Sequence, residues 1–160
     1  MKQNLDQKFN QIKKEISKSK RILILAHRAP DGDAIGSMLA LNFYLKRQKK
    51  KTCVFTHQMP YFLNFLPGYD KIQKKKLKNN KFDLIFALDY ASEERLEVPS
   101  DFELPQKKVI TIDHHLLLSG RKVGKIRLID SKASSTCEIL YFFFKFLKIK
   151  IDRELATILL

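Results

Sequence analysis

Carboxylate and imidazole side chains occur at three places along the chain, and each place follows a run of apolar residues. In chain order, these side chains belong to His27, Asp31, Asp33, Asp89, Asp113, His114 and His115. A mixture of hard oxygen ligands with imidazole suits an intermediate divalent cation such as Mn²⁺. Two such ions about 3.5–4 Å apart can clamp a phosphoryl group and activate a water molecule. The residue types therefore predict a metal site, and their number favours a two-metal site.

The apolar runs before these groups predict how the groups come together. They cover residues 22–26, 84–88 and 109–112. Continuous apolar runs of this length are typical of strands buried on both faces of a parallel sheet. In open sheets of this kind, ligands bind in the crevice beyond the carboxyl ends of the strands. All three groups should then lie at one edge of the sheet.

The rest of the chain alternates between strand and helix patterns. Strands are predicted over residues 21–26, 51–56, 82–89, 108–113 and 125–129. Helices are predicted over residues 1–19, 34–48, 135–147 and 152–160, with one helical turn near residues 61–65. Ser135 and Glu138 form a capping-box pair, and Asp152 caps the last helix. This order predicts an α/β fold with a mostly parallel sheet and helices on both faces. The helix over 1–19 precedes one domain over 20–160.

Composition limits the classes of protein to which the chain can belong. Its 31 basic and 17 acidic residues give a net charge of +14, which attracts phosphate-rich partners without identifying one. No apolar stretch reaches the roughly 18 residues that span a bilayer, and the N-terminus has no hydrophobic signal region. We therefore expect a cytoplasmic protein with no membrane segment. Cys53 and Cys137 are expected to be reduced, buried thiols.

The spacing of the acidic and histidine residues predicts how the ligands divide between two ions. His27 and Asp31 are four residues apart around a Pro-Asp-Gly turn, so both can face one ion. Asp33 can lean toward a second ion. Asp89 is placed to bridge both ions, and His114 can complete the second.

Other interpretations of these residues are less well supported. Asp-Gly-Asp occurs in simple turns and also begins EF-hand loops. An EF-hand fails here because Ile35 and Asn42 would occupy its fifth and twelfth positions. His57 is interpreted as a surface histidine. The sequence contains neither Gly-x-Gly-x-x-Gly nor a Walker motif, so a dinucleotide-binding or P-loop fold is not supported.

Several motifs together resemble those of a known family, the DHH phosphoesterases. The resemblance to its first three motifs lies in His27-x-x-Pro30-Asp31-Gly32-Asp33-Ala34-x-Gly36-Ser37, in Leu88-Asp89, and in Asp113-His114-His115. The stretch Ser134-Ser135-Thr136-x-Glu138 is similar to the segment that follows them in that family. The resemblance covers about residues 20–160 in both order and spacing.

This resemblance implies a phosphoesterase domain with two Mn²⁺ ions, with Mg²⁺ as an alternative. By position in the motifs, one ion would be held by His27, Asp31 and Asp89, and the other by Asp33, Asp89 and His114. Asp113 would support the histidines from behind. His115 would contact the scissile phosphate.

The details of the first motif are similar to one branch of the family. That branch contains nanoRNases and phosphatases of 3′-phosphoadenosine 5′-phosphate (pAp). We therefore expect a manganese-dependent hydrolase that acts on short oligoribonucleotides, on pAp, or on both. Two alternatives stay open: a cyclic-dinucleotide phosphodiesterase or exopolyphosphatase of the same family, and a non-catalytic nucleotide- or RNA-binding remnant. A homodimer is also left open.

The family resemblance implies further residues that would follow this sequence. In the family, a helix matching residues 156–160 leads to a glycine, a fourth-motif Asp that ligates the second ion, and a smaller substrate-binding domain. This sequence ends with Ile158-Leu159-Leu160, so we expect it to be a piece of a longer protein. On its own it should bind one Mn²⁺ well and the second weakly, with little or no turnover.

Overall fold

Five parallel strands form the centre of the computed structural model, which describes residues 2–73, 81–100, 102–116 and 123–160. The strands are β1 (Arg21–Leu25), β2 (Lys51–Val54), β3 (Leu84–Leu88), β4 (Val109–Asp113) and β5 (Ile126–Ile129). Their order across the sheet is β2-β1-β3-β4-β5. The predicted α/β fold with a parallel sheet is confirmed. Each strand is one to three residues shorter than predicted.

The order in which strands are added to the sheet reverses after β2. From β1 it moves to one side to form β2, and it then crosses to the other side of β1 for β3, β4 and β5. The register pairs Leu25 with Ala87 and Leu88 with Ile112, so β1, β3 and β4 end at nearly the same level. A reversal of this kind opens a crevice beyond the carboxyl ends of the strands, where α/β proteins bind ligands.

Four α-helices contribute to one core: α1 (Lys2–Lys18), α2 (Gly32–Arg47), α3 (Thr136–Phe146) and α4 (Arg153–Leu159). Apolar side chains from all four helices pack against alternate strand residues such as Ile22, Ile24 and Phe86. The helix bounds agree with the predicted ones to within two residues. The helical turn predicted near residues 61–65 is a 3₁₀ turn over Tyr61–Leu63.

The opposite face of the sheet is covered mainly by the segment between β3 and β4. This second core contains Leu23, Ile85 and Ala87, and it is packed by Val98, Phe102 and Leu104 of that segment. The segment includes 3₁₀ turns at Glu93–Arg95 and Gln106–Lys108. Prolines at positions 99 and 105 disfavour a continuous helix there, because proline lacks an amide donor and clashes with the preceding turn. On this face, the helices in the described residues are therefore short 3₁₀ turns.

The two predicted helix caps are present, with one difference in detail. Asp152 accepts a hydrogen bond from the amide of Leu155 at 3.0 Å. The hydroxyl of Ser135 accepts one from the amide of Glu138, also at 3.0 Å. The Glu138 carboxylate, however, accepts from the amide and hydroxyl of Ser134, whereas a capping box would use the amide of Ser135. The reciprocal half of the cap is thus displaced by one residue.

A close approach between α2 and α4 depends on Gly36. A Cβ atom at this position would lie 2.8 Å from the carbonyl oxygen of Ile158 and 3.0 Å from the sulfur of Cys137. Cys137 and Cys53 are both buried and free, as predicted. Within the described residues, we find no helix with the length and apolar character needed to cross a membrane.

Candidate metal centre

The predicted ligands lie at the carboxyl edge of the sheet, beside the point where the strand order reverses. His27 is two residues beyond β1, Asp89 follows β3 directly, and Asp113 is the last residue of β4. An antiparallel bridge between His27 and Leu96 holds the loop that follows β1. The buried parallel strands therefore bring together the three groups that are far apart in sequence.

His27, Asp31 and Asp89 form one compact group. The Nε2 atom of His27 lies 3.8 Å from Oδ1 of Asp31 and 3.9 Å from Oδ2 of Asp89. Its Nδ1 atom is 2.8 Å from the carbonyl oxygen of Arg28. Because a carbonyl can only accept, this contact assigns the ring proton to Nδ1 and leaves the Nε2 lone pair facing the carboxylates. Asp31 also caps α2 by accepting a hydrogen bond from the amide of Ala34.

Asp89 lies between this group and a second one. Its side chain is 1% exposed, and its Oδ1 atom is 3.6 Å from Nε2 of His114 and 3.4 Å from Nδ1 of His115. The hydroxyl of Thr136 donates a hydrogen bond to the same oxygen at 3.1 Å. Since Oδ2 faces His27, the two oxygens of Asp89 serve different groups.

The surroundings of Asp89 disfavour its charged form. Burial, followed by the nearby charges of Asp33, Asp113 and Asp31, raises the pKa of Asp89 from 3.8 to about 6, while the hydrogen bond from Thr136 acts in the opposite direction. Several carboxylates crowded at one buried edge repel one another unless a cation lies among them. The electrostatics of this edge therefore favour a bound cation.

Asp33 lies in the first turn of α2, but its carboxylate is bound by the first turn of α3. Its Oδ2 atom accepts a hydrogen bond from the amide of Thr136 at 2.7 Å, and its Oδ1 atom accepts one from the amide of Cys137 at 2.8 Å. Amides at a helix N-terminus carry partial positive charge, which stabilises a carboxylate there. The Oδ2 atom is also 3.7 Å from Nε2 of His114, so Asp33 borders the second group.

Asp113 lies behind the histidines. Its Oδ2 atom accepts hydrogen bonds from the amides of Tyr90 and Ala91 at 3.2 and 3.0 Å. Its Oδ1 atom accepts one from the amide of His115 and lies 2.9 Å from Nδ1 of the same residue. Asp113 is completely buried. This is the position that a supporting residue would take.

Two groups of three residues have ligand atoms within 4.8 Å of one another in the described part of the chain. They are His27, Asp31 and Asp89 in one group, and Asp89, His114 and His115 in the other. The first coincides with the predicted ligands of one ion. The second contains His115 in the place for which Asp33 was predicted. Carboxylate oxygens combined with imidazole nitrogens fit a divalent cation of the Mn²⁺ type, and the assignment of each ligand stays a prediction.

Sequence reasoning did not anticipate two contacts near the site. One is the hydrogen bond from Thr136 to Asp89, although the segment containing Thr136 had been singled out by its resemblance. The other is a buried cluster in which the Tyr90 hydroxyl lies 2.9 Å from that of Thr111 and accepts a hydrogen bond from the amide of Val123. A tyrosine and a threonine next to apolar strands look like ordinary core residues, so the sequence carries no signal for this cluster.

A guanidinium nitrogen of Arg95 lies 3.5 Å from Nδ1 of His27, on the side of the ring that faces away from the carboxylates. His57 is exposed, as predicted, and its ring packs edge-on against Phe55 with the centroids 4.7 Å apart.

Comparison with known proteins agrees with this architecture. Residues 21–160 match the DHH family, N-terminal domain, and the chain therefore belongs to the DHH family. The bifunctional oligoribonuclease and PAP phosphatase NrnA of Thermus thermophilus is 31% identical over 137 residues, which are 85% of this chain and 40% of that protein. The Bacillus subtilis protein of the same name is 29% identical over 122 residues, which are 75% of this chain and 36% of that protein.

A solved structure provides a further comparison. An exopolyphosphatase-related protein from Bacteroides fragilis superposes with a TM-score of 0.77 at 27% sequence identity, covering 94% of this chain and 45% of that one. This chain spans about two fifths of the length of the two curated relatives described above.

Proposed function

We propose that this chain forms the metal-binding part of a phosphoesterase that uses Mn²⁺ to hydrolyse short oligoribonucleotides, pAp, or both. The observation that carries the proposal is the position of Asp89. It is 1% exposed, and each of its oxygens faces a different group of imidazole and carboxylate ligands. A buried carboxylate shared in this way could bridge two cations of a site that acts on a phosphoryl group.

The residues would have distinct roles in this proposal. His27, Asp31 and Asp89 would hold one cation, and Asp33, Asp89 and His114 the other. When bound, the two cations would neutralise charge on the phosphoryl group and promote attack by water. Asp113 holds the ring of His115 through Nδ1, which leaves Nε2 of His115 to contact the scissile phosphate.

The substrate class is supported by the relatives and by charge. Two relatives are named as bifunctional oligoribonucleases and PAP phosphatases. The net charge of +14 would favour the approach of phosphate-rich substrates. We further propose that residues 20–160 act with a fourth-motif Asp and a C-terminal substrate-binding domain. A cytoplasmic location and a homodimer stay predictions.

Polyphosphate is the second candidate substrate. It is favoured by the superposition on an exopolyphosphatase-related protein. Its hydrolysis would use the same cation site, so the two candidates differ only in what binds beside that site.

The experiment combines metal titration with hydrolysis assays. Mn²⁺ binding is measured by calorimetry, and the purified chain is then incubated in molar excess over pAp, a dinucleotide RNA, cyclic-di-AMP or polyphosphate, so that slow hydrolysis is visible. We expect Mn²⁺ binding and slow, chelator-sensitive hydrolysis of pAp or RNA, with Mg²⁺ less effective. Asp89→Asn, which keeps the size of the side chain, is the matched control and should bind no Mn²⁺.

The outcomes separate the alternatives. Hydrolysis restricted to polyphosphate or to cyclic-di-AMP would transfer the function to that substrate. Binding of RNA without any hydrolysis would favour a non-catalytic remnant. Full hydrolysis in excess chelator would contradict the cation site itself.

A further inference from the structure

The first turn of α3 contacts two of the proposed ligands. The amides of Thr136 and Cys137 donate to the two oxygens of Asp33 at 2.7 and 2.8 Å. The hydroxyl of Thr136 donates to Oδ1 of Asp89 at 3.1 Å. Thr136 therefore holds one carboxylate through its backbone and the other through its side chain.

We propose that Thr136 is a positioning residue that fixes the carboxylate of Asp89 and sets its separation from Asp33. The inference rests on the proposed function, because it assumes that both carboxylates hold cations. Thr136 would not touch the substrate. It would determine how well the shared ligand is arranged before a cation binds.

The contacts of Asp89 make the hydroxyl important. At 3.1 Å, the Oγ1 atom of Thr136 is closer to Oδ1 than the nitrogens of His115 and His114, which are 3.4 and 3.6 Å away. A hydroxyl carries a single hydrogen to donate, so this donor is committed to Asp89. A hydrogen bond donated to a carboxylate oxygen favours the charged form, which is the form that a cation binds.

The position of the hydroxyl is itself well defined. Thr136 is completely buried, and its backbone is fixed because its amide binds Asp33. A β-branched side chain has few χ1 states in a helix, so the Oγ1 atom has little freedom to turn away from Asp89. Interactions of this kind behind metal ligands typically change metal affinity by about 10–100-fold when they are removed.

The test titrates variants at position 136 with Mn²⁺. Binding is measured by calorimetry and by the electron paramagnetic resonance signal of free Mn²⁺. Thr136→Val keeps the shape and removes the hydroxyl, and we expect it to weaken Mn²⁺ binding about tenfold. Thr136→Ser keeps the hydroxyl and should bind within about threefold of wild type. The hydroxyl contacts Oδ1, which faces His114. Its removal should therefore lower the affinity for the second cation, beside His114, more than the affinity for the cation beside His27.

A second pair of variants and a control protect the test from effects of misfolding. Thr136→Ala and Thr136→Ser both lose the methyl group and differ only in the hydroxyl, so their difference in Mn²⁺ affinity reports the hydroxyl alone. Thr111→Val is the control. Thr111 is also completely buried, and its hydroxyl donates to the carbonyl of Val123, so this variant should lose stability while Mn²⁺ binding stays unchanged.

The results distinguish failure of this inference from failure of the proposed function. If the wild-type chain binds Mn²⁺ and Thr136→Val binds it equally well, the inference alone is wrong. Equal losses in Thr136→Ser and Thr136→Ala would also overturn it. A wild-type chain that binds no Mn²⁺ would contradict the proposed function and this inference together.

Discussion

The carboxylate of Asp113 and the imidazole of His115 form a close pair in which Oδ1 lies 2.9 Å from Nδ1. The same oxygen accepts a hydrogen bond from the backbone amide of His115, so both the backbone and the ring of this residue are held. The Oδ2 atom accepts from the amides of Tyr90 and Ala91. A single buried side chain thus joins the turn after β3 to the histidine motif after β4.

Replacing Asp113 should therefore strongly destabilise the folded chain, because this side chain accepts several hydrogen bonds. Asp113→Ala leaves three backbone amides and one imidazole without their acceptor, and it should lower the free energy of unfolding by about 3 kcal/mol. Asp113→Asn keeps one acceptor oxygen and should cost less. Urea unfolding of the metal-free chain measures both variants. Equal stability of the Ala variant and wild type would contradict this account.

Asp89 should be the least replaceable residue for metal binding. Because its oxygens face both groups, Asp89→Ala is expected to lose more bound Mn²⁺ and more activity than Asp113→Ala, which acts from behind the histidines. Bound manganese is measured by elemental analysis after gel filtration, alongside the hydrolysis assay. If Asp89→Ala loses no more bound Mn²⁺ and activity than Asp113→Ala, then Asp89 is not a ligand shared by both cations.

Protonation of Asp89 should stabilise the metal-free folded chain as the pH falls from 7 to about 4. The pKa of Asp89 is about 6 in the folded chain, against an ordinary value of 3.8. Between these two values the folded state binds a proton that the unfolded state does not, so stability rises as the pH falls through about 6 and levels off near 3.8. The contribution is on the order of 2–3 kcal/mol.

The Asp89→Asn variant isolates this effect from other titrating groups. It should lack the Asp89 part of the pH dependence and, without metal, should be more stable than wild type at pH 7. Saturating Mn²⁺ should reverse the trend for wild type, because protons and cations compete for the same carboxylate. Thermal unfolding is measured across this pH range for wild type, for Asp89→Asn and for wild type with saturating Mn²⁺. Identical pH profiles for the two proteins would contradict the raised pKa.

Two glycines of the same motif should respond in opposite ways to alanine. Gly36→Ala places a methyl group 2.8 Å from the carbonyl oxygen of Ile158 and 3.0 Å from the sulfur of Cys137, and it should lower the free energy of unfolding by about 2 kcal/mol. A Cβ atom at Gly32 would meet nothing within 4 Å. Gly32→Ala should therefore be neutral or stabilise by up to about 1 kcal/mol.

Metal binding should follow the same difference between the glycines. The methyl group of Gly36→Ala should push Cys137 away, together with the amide that donates to Asp33. This variant should therefore bind Mn²⁺ more weakly, whereas Gly32→Ala should bind it as the wild type does. Thermal unfolding and Mn²⁺ titration of the pair provide the measurement. Similar effects at both positions would show that the close approach at Gly36 is not what matters.

The fold was predictable because its signals are local. Buried parallel strands produce apolar runs such as residues 84–88, and each helix shows either an amphipathic pattern or a capping side chain such as Asp152. The covering of the second face was not predictable in this way. Val98, Phe102 and Leu104 reach that core from irregular chain, which has no periodicity to detect.

The sequence predicted which residues form the site better than it predicted the contacts among them. Residue types and strand ends were sufficient to place His27, Asp89 and His114 at one edge. They could not reveal that both oxygens of Asp33 bind amides of α3, because a contact between two helix ends depends on how the helices pack. The grouping of His115 with Asp89 likewise depends on side-chain directions that spacing does not determine.

The anchoring of Asp33 by α3 has a consequence for the time at which the site forms. Asp33 and Thr136 are 103 residues apart, and at usual rates of synthesis the ribosome needs on the order of 10 s to make that length of chain. All five predicted metal ligands, from His27 to His114, are synthesised before the helix that holds Asp33. A nascent chain that ends before residue 136 would therefore contain these five ligands while Asp33 still lacked its amide partners.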